Sequence, residues 1–394
     1  MNILQLCNKV PFPVVDGGTA AMHQLGGLLT EGDNTVKVIA AQTHKRRIEP
    51  SILPHDYLEQ FRPEFIFLDT KVKWIDAFLS LFSKESYNIT RFNSKVLHEK
   101  IKQFLQKNAV DVVILESLFM TPYINTFRDY SKAKIILRAH NIEHLIWERH
   151  AANEKNPLKK IYLKHLSSRL KNYELHAMNK VDAIAAISKT DESYFKQHTS
   201  VPVEFIPFVF DNKHPQEGTE IDATRLYFLG AMDWKPNLEA ANWLLQNIVP
   251  LLKNELNKFQ LTLGGFRMPE EILKMSHENF SAKGKVESPE IFISEFGTLL
   301  APLFSGGGLK IKIIEAMSLG RLVVTTPVGA EGIGAENGQH LFICESKEDF
   351  IKTLKHISVH PEQARNVAKA GQDFLKKEFN RDSVKARLNA LLKN

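Results

Sequence analysis

Ala301-Pro302-Leu303-Phe304-Ser305-Gly306-Gly307-Gly308-Leu309-Lys310-Ile311-Lys312-Ile313-Ile314-Glu315-Ala316-Met317 reads as the end of a strand, three consecutive glycines and the start of a helix. Glycine lets a backbone approach a ligand closely, and the unpaired N–H groups of a helix start favour an anion. Lys310 and Lys312 fall in the first turn, where the helix dipole disfavours a cation. An arriving diphosphate reverses that penalty, so Ser305, Gly306, Gly307, Gly308, Leu309 and the two lysines predict a diphosphate site. At about 100° per residue, Ile313, Ile314 and Met317 form one apolar stripe, while Lys312 and Glu315 share the opposite face. Glu315 can then accept hydrogen bonds from two adjacent hydroxyls, as on a ribose. The plainer alternative is a flexible turn before an amphipathic helix with a Lys312–Glu315 ion pair. The Walker pattern is absent, and no G-x-G-x-x-G follows the N-terminal strand.

Outward from this segment, short apolar runs alternate with amphipathic stretches, the signature of βαβ units and parallel sheets. In the first half, strands are predicted at Ile3–Leu6, Val36–Ala40, Phe65–Leu68, Val110–Leu115, Lys134–Ala139, Ala183–Ile187 and Val203–Ile206. Helices are predicted at Ala20–Leu29, Asn93–Gln106, Tyr162–Met178 and Thr190–Phe195. The polar stretch Asp211–Thr219 reads as a linker. A second series follows, with strands at Arg225–Leu229, Gln260–Leu263, Phe280–Ala282, Thr298–Pro302, Leu322–Thr325 and His340–Ile343. Its helices are Leu238–Leu252, Lys310–Ser318, Lys347–Ile357 and Pro361–Phe379. Two doubly wound α/β domains are expected, residues 1–207 and 208–375. Ligands of such sheets bind beyond the carboxyl ends of the strands.

The glycine segment resembles the C-terminal signature of retaining GT-B glycosyltransferases, glycosyltransferase family 4 in particular. Gly320-Arg321-Leu322-Val323-Val324-Thr325-Thr326-Pro327-Val328-Gly329-Ala330-Glu331-Gly332 and Phe228-Leu229-Gly230-Ala231-Met232-Asp233-Trp234-Lys235-Pro236-Asn237 are similar to that family too. The similarity runs from the Gly17-Gly18 loop to the C-terminal helix. It implies a GT-B fold, two Rossmann-like domains with an interdomain cleft, and a final helix, about 376–394, packing back on the first domain. It further implies that Glu315 contacts the donor ribose. His140 would lie near the donor sugar, where its carbonyl or imidazole steadies a developing oxocarbenium ion. One departure stands out. The family's usual partner glutamate would fall at Gly307, and a glycine–lysine form replaces it.

Further expected donor-site residues are Gly17 and Gly18 after the first strand, Gly230 and Asp233, and Lys235, which either touches phosphate or is solvated. Gly265 and Val286 resemble the loops that hold the base. Arg138-Ala139-His140-Asn141-Ile142-Glu143-His144 places a polar cluster at a strand's carboxyl end, and Glu116-Ser117 and Ser188 end other strands. Tyr87, Arg91, Glu116, Tyr123, Asn141 and Glu143 are expected at an acceptor site.

The chain has 394 residues, 43% hydrophobic and 24% charged, which suits two globular domains. No apolar run is long enough to span a membrane, and no secretory signal is visible. Cys7 and Cys344 suit a reducing cytoplasm, forming neither a disulfide framework nor a metal cluster. The net charge of +6 points to anionic partners, or to mere solubility. Lys159, Lys160, Lys164, His165, Arg169 and Lys171 interleave with Ile161, Leu163, Leu166 and Leu170. That helix could rest on anionic lipid at the inner membrane face, or simply present a solvated face. Nucleic-acid binding is not expected. No Asp-x-Asp triplet occurs, so no metal is expected, and the positive charge for a leaving diphosphate must come from Lys310, Lys312 and the helix start. The family resemblance implies transfer of a sugar from a UDP- or GDP-sugar to a glycan or lipid-linked acceptor, with retention of configuration, in cell-surface polysaccharide or glycolipid synthesis. No cofactor beyond that co-substrate is needed. A nucleotide-sugar 2-epimerase and a non-catalytic nucleotide-sugar-binding protein are the alternatives. The dinucleotide pattern of a dehydrogenase is missing.

Overall fold

The computed structural model describes residues 1–14, 17–44, 47–73, 80, 85–209, 222–275, 277–306 and 309–393. The expected linker Asp211–Thr219 lies outside the described residues, as do Gly307 and Gly308. The chain forms two compact units. One comprises Met1–Phe208 with Lys385–Asn394, the other Val209–Val384.

The first unit is built on a seven-stranded sheet of β1 (Asn2–Cys7), β2 (Thr35–Gln42), β3 (Glu64–Phe67), β4 (Val112–Glu116), β5 (Lys134–Ala139), β6 (Ala183–Ala186) and β7 (Val203–Phe205). Their order is β3-β2-β1-β4-β5-β6-β7, and every pairing is parallel. The second unit holds β8 (Arg225–Leu229), β9 (Gln260–Gly264), β10 (Phe280–Gly284), β11 (Thr298–Ala301), β12 (Leu322–Thr325) and β13 (Phe342–Ile343). They are ordered β10-β9-β8-β11-β12-β13, again all parallel. Helices cover both faces of such sheets, so their central strands are apolar throughout rather than alternating. Val112–Glu116, Ala183–Ala186 and Leu322–Thr325 are accordingly buried at every position. Strand order reverses between β1 and β4 and between β8 and β11. Each reversal opens a crevice at the carboxyl edge of its sheet.

The helices that matter below are α1 (Gly17–Leu29), α2 (Tyr87–Thr90), α3 (Glu143–Asn153), α4 (Pro157–Ala177), α5 (Lys235–Asn247), α6 (Ile311–Ser318) and α7 (Arg381–Lys393). The helix expected over Leu238–Leu252 ends at Asn247 because Pro250 cannot donate in an α-helical ladder; a 3-10 turn, Val249–Leu251, follows. The helix expected from Tyr162 begins earlier, at Pro157, where the Asn156 side chain accepts from the Lys159 N–H at 3.1 Å. Its start hides from periodicity because Leu158 and Ile161 are apolar yet exposed. In the first unit, the Lys134 ammonium donates to the Leu391 carbonyl of α7 at 2.6 Å, and Lys385 pairs with Glu31 at 2.7 Å. Among the described residues no helix is long and apolar enough to cross a membrane.

Candidate active site

In the second unit, β8 and β11 are paired neighbours, and the loops beyond them open α5 and α6. The two loops meet. Ser305 Oγ donates to Glu239 Oε2 of α5 at 2.6 Å, and Gly306 stands against Pro236. Lys312, in the first turn of α6, sends its ammonium into the crevice. There Nζ donates to Asn237 Oδ1 at 2.6 Å and lies 4.4 Å from the centre of the Phe228 ring. Asn237 is fixed in turn, its Nδ2 donating to the Ala231 carbonyl at 2.8 Å. A Cβ on Gly230 would lie 2.6 Å from Lys312 Nζ and 2.7 Å from Asn237 Cγ, so only glycine leaves the ammonium its seat.

Burial pushes the Lys312 ammonium down to about 7, with Glu315 pulling weakly the other way. Burial likewise raises the Glu315 carboxyl, while Lys312 opposes the rise and Glu290 adds to it. A desolvated cation that its neighbours only partly compensate is a seat for an arriving negative charge. Ile313, Ile314 and Met317 are buried, as the stripe predicts. Lys310 caps α6 rather than lying inside it, and Leu309 is half-buried before it.

The floor is tied together by backbone. The Gly230 N–H donates to the Gly264 carbonyl at 3.0 Å, and the Gly265 N–H to the Gly284 carbonyl at 2.6 Å. Gly265 has a φ of 152°, and a Cβ there would stand 1.8 Å from the Gly230 carbonyl oxygen. Gly265 thus holds two loops in register. Val286 follows β10, half-buried. Asp233 pairs with Arg267 at 3.2 Å. Lys235 is a solvated residue: its side chain is 85% exposed and pairs with Glu239 at 3.5 Å. Glu239, Phe228 and Arg267 are not singled out by the sequence. Glu239 reads there only as an i,i+4 partner of Lys235.

The first unit carries its polar pair at the corresponding edge. Glu116 ends β4 wholly buried, accepting from Gln5 Nε2 at 2.7 Å and meeting His140 Nε2 at 2.6 Å. Glu116 thus holds His140, as a buried carboxylate requires such partners. Gln5 is missed by sequence reading, although a glutamine inside an apolar strand is a signal of this kind. His140 follows β5 with 11% of its side chain exposed, and Gly17 and Gly18 open α1.

Other expected acceptor residues turn inward. The Tyr123 side chain is fully buried; its hydroxyl donates to the Phe92 carbonyl at 2.5 Å and accepts from the Ser94 N–H at 3.0 Å. The buried Tyr87 hydroxyl engages the Lys73 backbone, accepting from its N–H at 3.0 Å. Arg91 donates to the Thr70 carbonyl at 3.2 Å and stacks over Tyr87. These side chains fasten neighbouring segments, since a buried phenol or guanidinium must find a polar partner. Asn141 hydrogen-bonds Glu143, which is only 8% exposed. Burial, then the nearby Glu174 carboxylate, pushes Glu143 up to about 8, so its carboxyl is neutral at pH 7. Glu174 accepts from the N–H groups of Glu143 and His144 at 2.9 and 3.1 Å and meets His144 Nδ1 at 2.6 Å. Ser188 accepts from the Asp191 N–H at 3.0 Å as a helix cap. Cys7 and Cys344 are both free and buried.

Residues 223–358, which contain this crevice, match the family model described as glycosyl transferases group 1. That match lies within the second unit. The chain as a whole has the GT-B fold: sucrose-phosphate synthase from Thermosynechococcus elongatus superimposes with a TM-score of 0.67 at 14% identity, over 99% of this chain and 98% of that one. HepE of Anabaena, solved in complex with UDP and glucose, superimposes with a TM-score of 0.63 at 12% identity, over 100% and 99%. An uncharacterised 44.6 kDa protein of the cps region of Klebsiella pneumoniae is 22% identical over 391 residues, 97% of each chain. The chain is thus similar along nearly its whole length to a protein of a cps region.

Proposed function

We propose that this glycosyltransferase transfers a sugar from a nucleotide diphosphate sugar, UDP- or GDP-linked, to a glycan or lipid-linked acceptor in cell-surface polysaccharide synthesis. The observation that carries the reading is the Lys312 ammonium, half-buried at the carboxyl edge between β8 and β11 and held on Asn237. The leaving diphosphate takes its charge compensation from Lys312, which Asn237 already holds in place, from Lys310 and from the start of α6. Glu315 accepts from the ribose hydroxyls. The resemblance to HepE, which was solved with UDP, supports a nucleotide donor. The relative in a cps region supports an acceptor of surface polysaccharide type. Retention of configuration and independence from metal belong to this proposal. So do a cytoplasmic site of action and contact of α4 with anionic lipid, where Leu158 and Ile161 are exposed among lysines.

The test is transfer from radiolabelled UDP- and GDP-sugars to lipid-linked and glycan acceptors, with product anomer read by NMR and with chelator present. Glu315→Ala removes a charged acceptor worth about 1.5–3 kcal/mol, so donor KM should rise roughly 10- to 150-fold. Unchanged kinetics in both Glu315→Ala and Lys312→Gln would remove the site assignment, and release of a free epimerised sugar nucleotide would replace transfer by epimerisation.

A further inference from the structure

The first unit contains a cavity of about 220 Å3, walled by α2, the 3-10 segment Leu118–Tyr123, the helix Ile124–Tyr130 and the end of α4. That is the room of roughly seven waters and less than a nucleotide-sized ligand requires. Its floor is mixed. Ile89, Pro122 and Ala177 supply apolar wall, and Ser86, Thr121 and Tyr173 supply hydroxyls. Thr121 Oγ1 already donates to the Leu118 carbonyl at 2.7 Å and meets the Tyr173 hydroxyl at 2.8 Å. Ser86 is different. It is 2% exposed, and its Oγ has no hydrogen-bond partner among the described residues. A buried hydroxyl left unpaired in a polar cavity is costly, and a ligand hydroxyl would relieve that cost. Asn125 and His176, both exposed, also line the cavity, and one acid, Glu85, is balanced by one base, Lys180. The lining therefore carries no net charge for a phosphate to seek.

Apolar and aromatic wall for ring C–H faces, with hydroxyls and an amide for ring oxygens, is the chemistry that recognises a neutral polyol. We propose that this cavity is a subsite for a single sugar ring of a glycan, formed by the first unit alone and distinct from the donor crevice. Choosing a sugar over another polyol rests on the transferase reading; the existence of the subsite does not. It would hold a residue of the growing acceptor or product chain.

Saturation-transfer NMR on the full chain, with the methyl glycosides of glucose, galactose and N-acetylglucosamine as probes, tests it. Transfer from the protein to at least one glycoside is expected without nucleotide present. Ser86→Leu, which fills the floor, should abolish it and leave UDP-glucose binding unchanged. Should Ser86→Leu not fold, the double variant Asn125→Ala with His176→Ala, both at exposed rim positions, should weaken glycoside binding about tenfold. Absence of transfer to all three glycosides at millimolar concentration overturns the proposal, as does equal transfer in the filled or rim variant. Glycoside binding that persists while UDP- and GDP-sugars fail to bind would sink the donor reading and leave the subsite standing.

Discussion

Donor binding should draw a proton from solvent, and Lys312 should be where it goes. With the ammonium at about 7, roughly half the free protein carries the proton at pH 7 and about a tenth at pH 8. A phosphate oxygen about 4 Å from Nζ, at the effective dielectric of a half-buried site, contributes about 4 kcal/mol, or about three pH units. The group would then titrate near 10 in the complex. Uptake on binding should be about 0.1 proton at pH 6, about 0.5 at pH 7 and about 0.9 at pH 8. The apparent Kd should weaken about 16-fold between pH 7 and pH 8.5, since only the protonated form binds well. UDP-glucose is the ligand of choice because its diphosphate diester does not itself titrate in this range. Calorimetry in buffers of different ionisation heat gives the proton count at each pH. Side-chain carbon NMR of lysine follows Lys312 directly, free and saturated. Lys312→Met should remove the uptake, and Glu315→Gln should keep it. Uptake below about 0.2 proton at pH 8, or a lysine signal that titrates near 10 in the free protein, refutes the argument that a desolvated ammonium awaits the diphosphate.

Two further outcomes follow from the packing and the buried acid. Gly265→Ala places a Cβ 1.8 Å from the Gly230 carbonyl oxygen at a φ of 152°, so the floor of the crevice must shift. A loss of about 3 kcal/mol is expected, seen as a fall in Tm of about 6–12 °C together with weaker donor binding; a wild-type Tm would mean the loops are not locked there. Glu143 holds its proton to about 8 in the folded chain against about 4.5 when unfolded, so its contribution to stability is complete below about pH 4.5 and is lost as pH rises through 8. Between pH 5 and 8, urea melts should show wild type losing about 1.4 kcal/mol per pH unit relative to Glu143→Gln; parallel curves for the two proteins would rule out a buried neutral acid.

Where pattern follows from sheet geometry, the sequence carries it. Fully apolar runs such as Val112-Val113-Ile114-Leu115 belong to strands covered on both faces, and the glycine stretch before Ile313-Ile314 marks a strand-to-helix turn. The parts of the site that depend on which strands are neighbours do not show. Asn237 and Lys312 are 75 residues apart and become partners only because β8 lies beside β11. Glu116 and Gln5 stand 111 residues apart for the same reason, with β1 beside β4. Burial is equally hidden in one dimension, so Tyr123, expected at an acceptor site, and His140, expected near the donor sugar, are told apart as interior and partly exposed only by the fold.

The two units use this placement differently. At the carboxyl edge of the first sheet, Glu116 has matched partners in Gln5 and His140. Beyond β8 and β11 the balance is left open. Lys312 has one amide oxygen and one ring face for company, Glu315 is itself pushed toward its neutral form, and Gly230 is held to glycine by the space the ammonium occupies. A chain selected for stability alone would pair that lysine fully or replace it with an apolar residue. Keeping it half-compensated makes sense where a dianionic linkage completes the site, and under the proposed function that imbalance, more than the glycines, is the reason to seek donor binding there.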